Sequence, residues 1–328
     1  MDPQQPGLRF GAALIVCALI FRLFTGGWIQ SASEILSQPN ISSLLIYLET
    51  GRHVRFSPSS GYQGVFSPES AAPDFGKQRP RFTAADADAV SVRYNCTHRP
   101  DLGALIAQPL EWDLTKGGPA VLILHTHATE SYTRSAGENY TETSAFRTLD
   151  ENYNMLSVGD RVAQLLEEGG ITVIHDRTLH DYPSYNGSYG QARKTIQAHM
   201  AACPSIRLVL DLHRDASGDN HNQMTTHTTV NGRDSARMML VVGTGAANAW
   251  EENLALGLKL HVQAERIAPG IMRYVNLRSQ RFNQDLLPGT LLVEMGAAGD
   301  SHDQALAAAE VLAESILALA RGCEIDTE

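Results

Sequence analysis

From residue 119 onward, short unbroken apolar runs alternate with longer stretches in which apolar residues recur every three to four positions. Ala120 to Leu124 (AVLIL) is uninterrupted, the pattern of a strand covered on both faces. In Asn154 to Glu168, the residues Met155, Val158, Val162, Leu165 and Leu166 fall on one side of a helix, and Gly169-Gly170 stops it. Ile171 to Ile174 predicts a second strand, Gln191 to Ala201 a helix, and Ile206 to Leu212 a third strand with Asp211 near its carboxyl end. Arg237 to Val242 and Thr290 to Glu294 predict two more strands around a helix from Trp250 to Arg266, and the alanine-rich Gln304 to Ala320 predicts a final helix. This alternation predicts an α/β fold with a mostly parallel twisted sheet and flanking helices. In such sheets, ligands gather beyond the carboxyl ends of the strands.

Before residue 119 the pattern differs. Phe10 to Phe24 is apolar except for Arg22. A bilayer-spanning helix needs about 20 mostly apolar residues, a length reached when Arg22 snorkels and Thr25 to Ile29 join the run. The expectation is an uncleaved membrane anchor; the other readings are a cleaved secretory signal and a soluble helix. The nearest small-residue cluster to a cleavage site is Ser31-Ala32-Ser33. Seven of the fourteen prolines lie between Pro58 and Pro119, so the stretch from Gly51 to Gly118 cannot hold a long helix and reads as a spacer. Within it, Ala89 to Tyr94 alternates enough for an edge strand. The expected organisation is therefore an anchor with a short helix over 1–50, a Pro/Gly/Ser-rich spacer over 51–118 and a chemistry-bearing domain over 119–328. The expected topology is single-pass at the cell membrane, with that domain extracytoplasmic.

Composition narrows the chemistry. Of 328 residues, 43% are hydrophobic, enough for a sizeable core, and 26 basic against 36 acidic residues leave a net charge of −10. A chain this acidic is a poor wrapper of nucleic acid, which needs cations to displace counterions. Cys17, Cys96, Cys203 and Cys323 form no CxxC pair, which argues against a disulfide scaffold and a thiolate zinc knuckle.

The predicted strand ends carry the functional argument. The first runs into His125-Thr126-His127 and Glu130, the third into Asp211-Leu212-His213-Arg214-Asp215, and the fifth into Glu294. Two histidines and a carboxylate with a position left for water make the ligand set of a catalytic zinc site, and hydrolysis needs one more carboxylate to move the water proton. His127 and His213 both follow buried strands; His125 shares a face with His127 by period-two alternation and competes for the first place. The bland alternative for Glu294 is a structural ion pair with an arginine such as Arg214.

The motifs LHTHATESY (Leu124 to Tyr132), NMLSVGDRVAQLLEEGGITVIHD (Asn154 to Asp176), YPSYNGSYGQAR (Tyr182 to Arg193), VLDLHRDA (Val209 to Ala216) and NLRSQRFNQDLLPGTLLVEMGAAG (Asn276 to Gly299) resemble the stage II sporulation protein P family of endospore-forming bacteria. The resemblance implies a fold similar to zinc-dependent N-acetylmuramoyl-L-alanine amidases. It implies hydrolysis of the amide between peptidoglycan glycan and stem peptide during forespore engulfment, beside the stage II sporulation D and M proteins. Carried over by position, it implies His127 and His213 as Zn2+ ligands and Glu294 as the catalytic carboxylate. For the third ligand it favours Glu130, with Asp150 or Glu151 as the alternative. Zinc, with Arg214 or a loop N–H, is expected to stabilise the oxyanion. Asn186, Tyr185, Arg278 and Asn283 are expected to line a glycan groove. The competing functions are a zinc endopeptidase that cuts cross-links and a catalytically inactive wall-binding module.

Overall fold

The computed structural model describes residues 79–218, 223–245 and 249–325. They form a mixed α/β fold around a seven-stranded sheet. Its strands are β1 (Val92–Asn95), β2 (Val121–Leu124), β3 (Val173–His175), β4 (Leu208–Asp215), β5 (Met238–Gly243), β6 (Met272–Arg278) and β7 (Thr290–Ala297). The spatial order is β1-β6-β5-β7-β4-β2-β3. Every neighbouring pair is parallel except β5 and β7, so the sheet consists of two parallel blocks of opposite direction.

The helices are α1 (Leu102–Ile106), α2 (Met155–Glu168), α3 (Ser188–Ala202), α4 (Trp250–Ile267) and α5 (His302–Leu319). Asn154 caps α2 by accepting from Leu156 N, and Ser301 with Gln304 forms a capping box on α5, satisfying amide donors that a helix start leaves open. One face of the sheet packs Ile123, Leu210, Leu240 and Val293 against the apolar sides of α2, α4 and α5 in the main core. On the other face, Leu122, Leu124, Ile174 and Val209 pack against Ala192 and Ile196 of α3. That helix covers only the β2-β3-β4 end. Over β5, β6 and β7, the described residues place only a small apolar patch of Met239, Val241 and Leu292 with Tyr274 and Phe282.

Two expectations are corrected. Among the described residues, no helix is long and apolar enough to cross a membrane. This overturns the expected transmembrane helix and single-pass cell-membrane localisation; the stretch on which they were placed, residues 10–29, lies outside the described residues. The expected spacer over 51–118 is also too long, because from residue 79 the chain is folded into the domain. Phe82, Val90, Leu105, Ile106 and Leu114 are buried in the main core, Trp112 Nε1 donates to Leu319 O at 2.7 Å, and β1 pairs with β6 as the sheet's edge. Pro80, Pro100 and Pro109 fall between these short elements, where a missing N–H costs nothing.

Candidate functional site

Strands β7, β4 and β2 are adjacent and parallel, so their carboxyl ends share one rim. Glu294 of β7 stands directly beside His213 of β4, and partners in register point to the same face. Strand β2 ends at Leu124, and the chain then turns over residues 126–129. Asp211 holds this turn by accepting from Thr126 N at 2.7 Å and Thr126 Oγ1 at 2.6 Å; Asp181 accepts from Thr129 Oγ1 at 2.6 Å. Glu130 N donates to His127 O at 3.2 Å, so one turn presents both side chains.

The imidazoles of His127 and His213 lie edge to face with centroids 5.2 Å apart, and Tyr185 stacks on His127 at 4.4 Å. Glu130 Oε2 is 3.7 Å from His213 Nδ1, and the Glu130 carboxylate is flanked by Arg147 at 3.2 Å and Arg214 at 3.6 Å. Burial raises the Glu130 pKa, but Arg214, His213, His127 and Arg147 together hold it below the usual carboxylate range. Burial lowers His127 to about 4. For His213, burial also acts downward, but the Asp211, Glu130 and Glu294 carboxylates outweigh it and lift the ring to about 9. Glu294 goes the other way: burial, with Glu130 and Asp215 adding to it against His213 and Arg214, pushes its carboxyl up to about 8. Three buried atoms of this cluster, His127 Nδ1, His213 Nε2 and Glu294 Oε2, have no hydrogen-bond partner among the described residues. His213 Nε2 lies 3.0 Å from Asp211 Oδ1 but is not aligned for a hydrogen bond.

Unpartnered buried nitrogens on two neighbouring imidazoles, with a carboxylate beside them, fit a borderline-soft divalent ion such as zinc in donor type. Their arrangement is not that of a closed ligand shell: among the described residues, no group of three or more His, Cys, Asp or Glu side chains is placed to hold a metal. Glu130 is turned to its arginines instead.

The structure separates the sequence's competing residues. His125 is buried, with Nδ1 3.0 Å from Leu212 O and Nε2 2.8 Å from His175 Nε2, while His127 lines the cleft. Asp150 accepts from Asn152, and Glu151 pairs with Arg177 at 2.6 Å; neither lines the cleft. Arg214, expected at an oxyanion, lines the cleft, and its Nε donates to Ser131 O at 3.0 Å and its Nη2 to Phe146 O at 2.9 Å, so its guanidinium braces the loop behind Glu130. Glu294 is not ion-paired with it. Tyr185 and Arg278 line the cleft, whereas Asn283 is buried and donates to Tyr189 O at 2.8 Å. Sequence reasoning missed Arg147, Asp181 and Tyr189. The one available signal was YPSYNGSYGQAR, which places aromatic residues just ahead of α3 and in its first turn.

The cluster forms the inner end of a cleft of about 480 Å³. From His127 and Glu130, the cleft runs over Glu294 and Met239 to Tyr274 and out to Arg93 on edge strand β1, with the bare half of the sheet as its floor.

A model of the family described as Stage II sporulation protein P matches residues 68–317. Stage II sporulation protein P of Bacillus subtilis (strain 168) is 30% identical over 209 residues, covering 59% of this chain and 50% of that protein. The chain thus spans about half the length of the curated relative it matches. Two solved structures also show some likeness. The N-acetylmuramyl-L-alanine amidase Ami1 from Mycobacterium smegmatis has a TM-score of 0.35 at 12% identity, over 60% of this chain and 94% of that one. Ami1 from Mycobacterium abscessus has a TM-score of 0.34 at 13% identity, over 61% and 95%.

Proposed function

This chain belongs to the stage II sporulation protein P family, and from that premise we propose that it is a zinc-dependent peptidoglycan hydrolase, cutting the amide between glycan and stem peptide. The observation that carries the reading is Glu294 Oε2, a buried oxygen with no hydrogen-bond partner among the described residues, held beside His213 at the inner end of a cleft. An acid raised to about 8 sits near the pH at which it can both take and return a proton, which amide cleavage requires.

His127, His213 and Glu130 would hold the ion. When bound, zinc supplies a Lewis acid that lowers the pKa of a water and polarises a carbonyl. The chain's own residues do the rest. Glu294 Oε2 accepts a proton from the attacking water and delivers it to the leaving amine, because an amide does not expel a bare anion. Asp211 lies beside the His213 ring as a counter-charge and, through Thr126, holds the turn that presents His127. Arg147 and Arg214 keep Glu130 ionised. Tyr185 shields His127 from bulk water. The same reading makes peptidoglycan the binding partner and keeps the stage II sporulation D and M proteins as associates, to be sought by co-purification.

Mass spectrometry of purified sacculi digested by the protein with zinc tests this. Free, intact stem peptides are the expected product. Glycan that keeps its stems while bridges are split would make the protein an endopeptidase, and binding without release would make it a wall-binding module.

A further inference from the structure

The floor of the cleft ends in a patch that the hydrolytic machinery does not use. Strands β6 and β1 are parallel there, with Asn276 beside Arg93 and Arg278 beside Asn95. Alternation puts these four side chains on one face, with the arginines on one diagonal of the patch and the asparagines on the other. The asparagines are tied together, Asn95 Nδ2 donating to Asn276 Oδ1 at 2.8 Å. Arg93 lies over the Tyr274 ring at 4.2 Å and donates to its hydroxyl at 2.8 Å. Both arginines are exposed and line the cleft, and neither has an ion-pair partner among the described residues. Their neighbour Arg273, by contrast, is neutralised by Asp215 at 2.8 Å. In a chain of net charge −10, two guanidiniums without a carboxylate partner among the described residues, at the end of one cleft, mark a place for an anion.

The distance defines that anion further. Glu294 and Arg93 are separated by the three strand steps β7-β5-β6-β1, about 14 Å, and by about two residues along the strand. Together these make about 16 Å, the span of about four to five residues of extended chain at about 3.4 Å each. We propose that Arg93 and Arg278 form a carboxylate-binding subsite that holds the far end of a short acidic peptide whose near end lies at Glu294. The peptide crosses the bare half of the sheet, over Met239 and Tyr274. This assignment rests on the hydrolase reading for the nature of the bond at Glu294, but the anion site itself does not depend on cleavage.

The test uses the full chain and two synthetic tetrapeptides of stem sequence that lack the scissile amide. One ends in a free carboxylate and the other in a carboxamide, and binding is read by isothermal titration. The intact protein should bind the carboxylate form at least tenfold more tightly, as loss of a charge-assisted bidentate contact implies. The double substitution Arg93→Gln with Arg278→Gln should erase that ratio, and Arg93→Lys with Arg278→Lys should restore part of it. A ratio near one in the intact protein, which needs no variant to fold, overturns the subsite, as does a ratio that survives the double substitution. If sacculi are cleaved while the ratio is one, only the subsite is wrong. If the ratio holds while sacculi are untouched, the hydrolase reading fails and the subsite stands.

Discussion

Replacing Glu294 with glutamine should abolish hydrolysis and stabilise the metal-free protein at alkaline pH. Burial moves this carboxyl from an ordinary 4.5 to about 8, which at about 1.4 kcal/mol per tenfold corresponds to about 5 kcal/mol against the ionised form. The side chain keeps some exposure along the cleft, and the neighbouring His213 cation attracts it, so a net effect of about 1–3 kcal/mol is expected. The sign follows from linkage. A carboxyl whose pKa is raised by folding binds its proton more tightly in the folded state. Stability is therefore lost as pH rises from the unfolded value through about 8, and the loss is absent in acid. Glutamine has the same shape and no charge to bury. Thermal unfolding in the presence of chelator should show the two proteins melting together at pH 4, below the unfolded value. At pH 8.5, Glu294→Gln should melt several degrees higher, at about 2–4 °C per kcal/mol for a domain of this size. A variant that melts lower at pH 8.5, or a difference that does not change with pH, would refute the reasoning that Glu294 is a buried acid held at the expense of stability.

Metal content separates ligands from the proton carrier: His127→Ala and His213→Ala should purify without zinc, while Glu294→Gln retains it, and stoichiometric loss from the latter would move Glu294 into the ligand set. Gly159→Ala tests the support behind the site, because a Cβ there would meet His175 Nε2 at 2.5 Å and His125 Nε2 at 2.6 Å. Spreading two buried rings should cost about 1–3 kcal/mol in urea unfolding, and a neutral result would show that the pair is loosely held.

The strands buried on both faces were legible because an unbroken apolar run such as AVLIL has few other uses in a soluble domain. Strand β6 was not legible. Val275 and Leu277 face the core while Tyr274, Asn276 and Arg278 floor the cleft, so its apolar content is that of a loop. Nor does periodicity carry strand direction, which is why the reversal between β5 and β7 emerged only from the fold. At the site, alternation left His125 and His127 equivalent. They part because the strand ends at Leu124 and the turn held by Asp211 swings them in different directions. The role of Arg214 as the brace of Glu130 spans 84 positions of sequence, beyond any local spacing. The convergence of His127, His213 and Glu294 was legible, since parallel neighbours bring their carboxyl ends to one rim.

The cleft that runs out to the sheet edge, where Arg93 and Asn95 lie exposed, sets how a large substrate can approach. Among the described residues that side of the cleft is open, so on the proposed reading a polymer reaching the inner carboxyl from it does not need a free terminus to thread. Its side branch can be laid down broadside while the backbone continues past on both sides. For a covalent mesh, this is the difference between unravelling from loose ends and opening windows in an intact fabric. On the proposed hydrolase reading, early digestion would leave long strands stripped of their branches, and the net would slacken before much of its mass dissolved.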